Sequence, residues 1–291
     1  KLRKGATFHN GKTVTAQDVV ASFLHHRGEN SKSAAKSLLA PVLDIKADGQ
    51  ETVVFTLEGG NADFPYIASD YHIPIMPAKD DGSVDWESGI RTGPYTLEKF
   101  EAGVSCFLNK NPNYFKSDKG WFDRVEYLAI KDVTARTNAL NSGETHYLHR
   151  VDLKTVDLLR QNPNIEIFEK TGYGHYIYVM NVTAAPFDNA DVRNAIKYSL
   201  NREEILENVF SGFGTVGNDN PIAPTVKFAV DPQPRHVYDP DMAKSLLKKA
   251  GLESLKFDLS VADAAFTGAI DAALLWQEHA KACNIDVNVI R

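Results

Sequence analysis

Cysteine, long apolar runs and clusters of basic residues are all scarce in this chain of 291 residues. Its two cysteines, Cys106 and Cys283, lie far apart and have no metal-ligand spacing around them. They favour two separate buried thiols over a disulfide framework. No uninterrupted apolar run approaches the roughly 20 residues of a membrane-spanning helix. Lysine and arginine form no block and the formal net charge is −6, so nucleic acid is not expected as a partner.

Catalytic and metal-binding motifs are also missing. The glycine-rich stretch that begins at Gly212 has the wrong spacing for a phosphate-binding loop, and no Lys-Ser/Thr pair follows it. No G-x-S-x-G nucleophile turn occurs. Neither the pair His25 and His26 nor the pair His146 and His149 is accompanied by the cysteines or carboxylates that transition-metal sites use. We therefore expect no catalytic residue, no metal site and no cofactor.

What is present is the composition of a folded globular protein, with 43% hydrophobic, 24% charged and 10% aromatic residues. Such a chain can bury a sizeable core. Its length suits one large or two ordinary domains, at about 150 residues each. The basic residues 1–4 are not followed by an apolar stretch, so they do not form a signal peptide.

Strand and helix signals are mixed in the first part of the chain. Asn10-Gly11 predicts a short hairpin, and Thr15 to Asp18 resembles a capping box that starts a helix. Two β-prone pieces around Ala102-Gly103 predict an antiparallel hairpin. Period and propensity predict further helices at 132–144 and 153–163, and further strands at 52–57, 123–130, 165–170 and 175–182.

Helix signals dominate after Pro186. Two short helices joined at Asn201 are predicted within 189–210, and Asp239, Pro240 and Gly251 delimit a third. A strand at 255–261, a helix at about 266–282 and a strand at 285–290 then form a crossover unit. Because the chain stops on this last strand, we expect the other strands of the sheet to lie outside it. The predicted class is mixed α/β, from the middle of a longer protein.

Five stretches, taken in order, resemble the family 5 extracellular solute-binding proteins, the peptide- and nickel-binding subunits of ABC importers. Each stretch is a weak signal alone, but five in family order are specific. Family members are longer, so the chain resembles their central part. The stretches read "LRKGATFHNGKTVTAQDVVASF", "RTGPYTLEKFEAG", "LNKNPNYF…FDRVEYLAI…NALNSGE", "NVTAAPFDNADVRNAIKYSLNREEI" and "YDPDMAKSLLKKAG".

The resemblance implies a periplasmic-binding-protein type II clamshell, with two lobes and an extra domain, incomplete at both ends. Residues 1–88 would be part of the extra domain on lobe one. Residues 89–182 would belong to lobe one and 183–291 to a truncated lobe two. The crossover between the lobes would lie at about 176–187, and ligand would be held where the lobes close by hinge motion.

The same resemblance implies a monomeric receptor that captures peptides and delivers them to the membrane permease of an ABC importer. It would act in the periplasm or outside the cell, with or without a lipid anchor. Within this class the alternative ligand is a nickel chelate, an opine or another small cationic solute. Alternatives from other classes are a hydrolase and a chaperone-like interaction module, since a fold alone does not fix function.

Ligand-binding candidates follow from the implied cleft. Aromatic and polar side chains on or beside the crossover are the first group: Tyr173, His175, Tyr176, Tyr178 and Asn181. Alternation places Tyr176 and Tyr178 on one face and His175 on the other, so at most one set faces ligand.

Asp263 and Phe266 form the second group, where dipeptide-selective family members carry an arginine for the ligand carboxylate. No arginine occurs in this stretch, which disfavours a free dipeptide. Asp263 would suit an amine-bearing group, or it could equally act as the N-cap of the helix at 266–282.

Overall fold

The structure of the chain is a computed structural model, and it describes residues 1–170 and 172–291. The chain divides into two compact units, Lys1–Lys131 and Asp132–Arg291. These units are defined by packing, whereas the boundaries near residues 88 and 182 come from the family resemblance. Those boundaries therefore stay predictions.

The first unit begins with a small α/β layer. An isolated bridge between Thr7 and Thr13 closes the predicted hairpin. Helix α1 (Ala16–His25) packs on an antiparallel pair, β1 (Val42–Asp48) and β2 (Thr52–Leu57), and a short helix α2 (Phe64–Ile67) follows. The core of this layer is apolar: Phe23 of α1 meets Phe55 of β2 edge to face, with ring centroids 5.0 Å apart.

The rest of this unit is a three-stranded antiparallel sheet in the order β3-β4-β5. Its strands are β3 (Tyr95–Glu101), β4 (Ser105–Lys110) and β5 (Arg124–Leu128). The turn between β3 and β4 contains Gly103 at φ +74°, a conformation that glycine adopts without strain. The predicted hairpin and the strand that follows it are confirmed.

The second unit starts with short elements, α3 (Val133–Asn141), a 3₁₀ turn (Leu153–Thr155) and α4 (Val156–Leu159). Two strand predictions are wrong here, because residues 165–170 and 174–182 form no strand. Both runs are β-prone, but in the described part of the chain no neighbouring strand pairs with them. Since a strand exists only through hydrogen bonds to a partner, propensity alone could not make one.

The remainder of this unit consists of four helices and a parallel strand pair that share one apolar core. Helices α5 (Ala190–Tyr198), α6 (Arg202–Phe210) and α7 (Pro240–Lys249) precede β6 (Leu255–Ser260), α8 (Ala269–Lys281) and β7 (Ile285–Ile290). Strands β6 and β7 pair in parallel through the α8 crossover, as predicted. Trp276 of α8 is 3% exposed and its indole N–H donates to the Ser199 hydroxyl at 3.0 Å, so the polar atom of this buried ring has a partner.

Both cysteines are free thiols. Cys283 is buried as predicted, whereas Cys106 is only half-buried, because the face of the sheet that carries it is partly open. Within the described residues, no helix combines the length and the apolar character needed to cross a bilayer.

Candidate functional site

Three aromatic rings from distant parts of the second unit meet in one place. Tyr176 stacks on Phe266 with ring centroids 4.0 Å apart and planes within 12° of parallel. Phe210 lies 5.6 Å from Tyr176 and 6.0 Å from Phe266. Tyr176 is nevertheless 62% exposed, so much of its surface stays open to solvent. We call Tyr176, Phe210 and Phe266 the aromatic cluster.

Two helix ends bring these rings together. Phe210 is the last residue of α6, which ends at Ser211 in a left-handed conformation. Phe266 precedes α8, whose N-cap Gly268 has φ +87°. A Cβ at Gly268 would lie 2.9 Å from Val209 Cγ1, so the absence of a side chain there lets the two helix ends approach.

Tyr178 lies behind the aromatic cluster and faces the core. Its ring packs against Trp276 at 4.8 Å, and its hydroxyl is buried without a hydrogen-bond partner. Burial raises the pKa of the Tyr178 hydroxyl to about 12. A small cavity of about 80 Å³ borders this ring and Trp276, and apolar groups dominate its lining. Tyr178 therefore belongs to the edge of the core of the second unit rather than to the aromatic cluster.

The other crossover candidates are solvent-exposed. Tyr173 is 69% exposed, and the ring nitrogen of His175 has one long contact, 3.4 Å, to the Tyr173 carbonyl. The Asn181 side chain accepts hydrogen bonds from the backbone N–H and the hydroxyl of Thr183, at 3.1 and 2.8 Å. Asn181 thus shapes a local turn, and the structure brings none of these three residues into the aromatic cluster.

Asp263 stabilises the start of α8. Its carboxylate accepts a hydrogen bond from the Ile270 backbone N–H at 3.2 Å, although the N-cap position itself belongs to Gly268. This contact satisfies one of the unpaired donors of the first helical turn, which supports the capping interpretation of Asp263. The carboxylate is exposed and lies within electrostatic reach of Lys154.

A charged group borders the same helix end. Lys154 donates to the Asp271 carboxylate at 2.8 Å, and this hydrogen bond, with the charges of Asp271, Asp152 and Asp263, raises the pKa of Lys154. Asp271 is thus the contact partner of the Lys154 ammonium group, and Asp152 and Asp263 act on it only through their charge. In the part of the chain that the structure describes, no group of three or more histidine, cysteine, aspartate or glutamate side chains could hold a metal ion.

Sequence reasoning missed Phe210 as a member of the aromatic cluster and Lys154 as its neighbour at the start of α8. Phe210 carries one signal that could have been used, because the glycine-rich stretch from Gly212 predicts that α6 ends next to it. Lys154 carries no such local signal, since its partner Asp271 is 117 residues away.

The whole chain, residues 1–291, matches the family described as "Bacterial extracellular solute-binding proteins, family 5 Middle". The chain therefore belongs to this family, which confirms the resemblance carried by the five stretches. The family is one of solute-binding proteins, in agreement with the prediction of a binding protein that is not an enzyme.

Curated relatives are identical to this chain at about a quarter of the aligned positions. Heme-binding protein A of Haemophilus influenzae is 26% identical over 276 residues, covering 86% of this chain and 50% of that protein. Glutathione-binding protein GsiB of Escherichia coli O6:K15:H31 is 28% identical over 254 residues, covering 86% of this chain and 49% of that protein. The chain thus spans about half the length of these relatives.

Solved structures share the fold. The periplasmic binding protein DppA from Helicobacter pylori, in complex with the peptide STSA, superposes with a TM-score of 0.84 at 24% identity, over 99% of this chain and 60% of that one. NikA from Staphylococcus aureus, in complex with Ni(L-His)2, superposes with a TM-score of 0.80 at 20% identity, over 100% of this chain and 61% of that one. The mixed α/β prediction is confirmed by these similarities.

Proposed function

We propose that this chain is part of the substrate-binding component of an ABC importer, which captures peptides and delivers them to a membrane permease. The family assignment supports this role, and so does the similarity to a protein solved with a peptide. The protein would work as a monomer in the periplasm or outside the cell. It would need no cofactor, because capture replaces the hydration shell of the solute without breaking a bond.

The proposed mechanism is closure of two lobes around the solute. Residues 89–182 would contribute to the first lobe and 183–291 to the second, with the crossover at about 176–187 and the extra domain within 1–88. Tyr176 would then sit at the crossover itself. A ligand group at this position would contact both lobes, which makes its binding energy available for closure.

The observation that carries the proposal is the aromatic cluster. Tyr176 is exposed, yet its stacking on Phe266 fixes its orientation in advance. A flat apolar group that rests on it gains contact area without having to order the ring first. We therefore expect the preferred peptides to carry an aromatic side chain.

A small cationic solute is the second candidate, and the carboxylates near the cluster favour it. Asp271 pairs with Lys154, and Asp152 and Asp263 also act on this lysine through their negative charge, so three carboxylates influence one ammonium group. An ammonium group could be held there with the help of the aromatic faces. This candidate predicts that amines bind in preference to aromatic peptides.

Calorimetric titration of the naturally expressed protein separates these candidates. The probes are the tripeptides Ala-Phe-Ala, Ala-Leu-Ala, Ala-Lys-Ala and Ala-Glu-Ala, with putrescine and nickel–histidine for comparison. We expect Ala-Phe-Ala to bind most tightly, and Tyr176→Ala to weaken it about tenfold, in line with the value of an aromatic pair.

The matched control is Tyr147→Ala, because Tyr147 is a 76% exposed tyrosine of the same unit outside the aromatic cluster. It should leave the affinity unchanged. Tightest binding of putrescine would select the second candidate, and hydrolysis of a peptide during the titration would refute the receptor altogether.

A further inference from the structure

Residues 152–160, which we call the strap, carry two cations that reach separate helix ends. Lys154 Nζ lies 2.8 Å from Asp271 Oδ2 in the first turn of α8. The Arg160 guanidinium lies over the ring of Phe213, 5.7 Å from its centroid. Neither contact is local in the sequence. The strap therefore links the start of α8 to the turn after α6 through side-chain contacts.

Both anchor points border the aromatic cluster. Asp271 follows Phe266 and Gly268 at the start of α8. Phe213 belongs to the turn after α6, and its backbone N–H donates to the Phe210 carbonyl at 2.9 Å. The two helix ends that hold the cluster together are thus the two that the strap contacts.

Contacts other than those of Lys154 and Arg160 also hold the strap. The Asp152 carboxylate accepts from the Lys154 backbone N–H at 3.1 Å, and Val156 and Leu159 are 2% and 1% exposed. The Arg160 guanidinium is also held by Asp157 at 3.1 Å. Buried apolar residues fix the backbone, while the two cations remain at the surface and can engage or release.

We propose that the strap is a closing element of the aromatic site, held over its rim by Lys154 on Asp271 and by Arg160 on Phe213. This inference rests on the proposed function, in which residues 89–182 and 183–291 belong to different lobes and the strap contacts cross between them. Both side chains of the Lys154–Asp271 pair are more than half exposed, so solvent and salt weaken the attraction. A contact of that strength suits a closure that has to open again.

Pulsed electron–electron double resonance on the naturally expressed protein, without any solute, tests whether the strap closes. Spin labels at Leu158→Cys on the strap and Glu278→Cys on α8 report their separation, in a background where Cys106→Ser and Cys283→Ala remove the native thiols. We expect a short-distance population that Lys154→Gln lowers, with the ratio of closed to open molecules falling roughly two- to fivefold.

The charge swap Lys154→Glu with Asp271→Lys should restore most of that population, which a merely local effect of the substitution would not do. Raising NaCl from about 0.02 M to about 0.5 M should lower the population in the wild type and not in Lys154→Gln. Lys256→Gln is the matched control. Lys256 forms an exposed ion pair with Asp286, with 2.9 Å between Nζ and Oδ2, and this pair is not part of the strap contacts.

Identical distance distributions in the wild type and Lys154→Gln would overturn the proposed closing role of the strap. A charge swap that does not restore the short-distance population would overturn it as well. Because the measurement uses no solute, its failure leaves the proposed capture of peptides intact. Failure of every probe to bind in calorimetry would instead remove the proposed function, and the two failures are therefore distinguishable.

Discussion

At the residue scale, Asp18 organises the first unit from a fully buried position. Its carboxylate accepts from the Lys12 ammonium at 2.8 Å, from the Ala78 backbone N–H at 2.8 Å, and from the N–H and hydroxyl of Thr15 at 2.9 and 2.7 Å. The carboxylate side of the predicted capping box is thereby formed. One side chain joins the hairpin, α1 and the segment before residue 79.

Replacement of Asp18 by alanine should lower the free energy of unfolding by about 3 kcal/mol, because several buried donors lose their acceptor at once. Urea unfolding followed by circular dichroism measures this. Asp44→Ala is the control, since Asp44 pairs with Lys46 at the surface, and it should leave the unfolding free energy unchanged. Equal effects of the two substitutions would contradict the role given to Asp18.

The loss of unfolding free energy in Asp18→Ala should also depend on pH. Burial by itself would raise the pKa of Asp18, but the hydrogen bonds from Lys12, Ala78 and Thr15 outweigh it and lower the pKa below the ordinary 3.8. The carboxylate therefore stabilises the fold fully above about pH 4, and this contribution disappears as the pH falls through the lowered pKa. The difference between wild type and Asp18→Ala should shrink in that acidic range.

Tyr176 and Tyr178 show what alternation can and cannot predict for single residues. The pattern assumed a strand that residues 175–182 do not form, and Tyr176 is exposed like His175, whereas Tyr178 is partly buried. The pattern cannot predict that Tyr176 contacts Phe266 while Tyr178 contacts Trp276. Trp276 lies in α8 and Phe266 in the segment just before it, and both are far from residue 178 in the sequence. The aromatic cluster depends on tertiary packing that no local pattern records.

At the element scale, the start of α8 determines the geometry of the site. Gly268→Ala should lower the unfolding free energy by about 2 kcal/mol, because alanine is strained at φ +87° and its Cβ would press on Val209. The shift should also separate Phe266 from Phe210 and weaken binding of Ala-Phe-Ala. Urea unfolding monitored by tryptophan fluorescence, together with calorimetry, provides both readouts.

Gly217→Ala is the control for this change, since its Cβ would meet nothing within 4 Å and its φ lies outside the left-handed range. It should alter neither stability nor affinity. A Gly268→Ala protein as stable as wild type would show that α6 and α8 do not need their close approach.

Elements with local start and stop signals were predictable from the sequence. The Asp239 side chain caps α7 by accepting from the Met242 N–H at 2.9 Å, Pro240 opens the helix, and Gly251 follows its end, as predicted. The run 175–182 has a strong β propensity, but it forms no strand. A strand needs a neighbouring strand to pair with, and the run's own residues do not determine whether one is present. Helix α8 begins at Ala269 rather than near 266, because Gly268 interrupts the helical pattern.

At the scale of the whole molecule, the family assignment and the aromatic cluster together support capture of a solute without chemical change. Composition predicted no membrane-spanning helix and disfavoured nucleic acid as a partner, and the order of the five stretches identified the family. The proposed ligand site could not be predicted in this way, because the aromatic cluster consists of residues that only the fold brings together. Tyr176 and Phe266 are 90 positions apart in the sequence.

Native mass spectrometry of the naturally expressed protein, mixed with an equimolar pool of tripeptides, tests the central claim most directly. We predict that the protein retains peptides with Phe, Tyr or Trp, that Tyr176→Ala abolishes this enrichment, and that denaturation releases every retained peptide intact. Retention of no peptide, or release of cleaved peptides, would contradict the account.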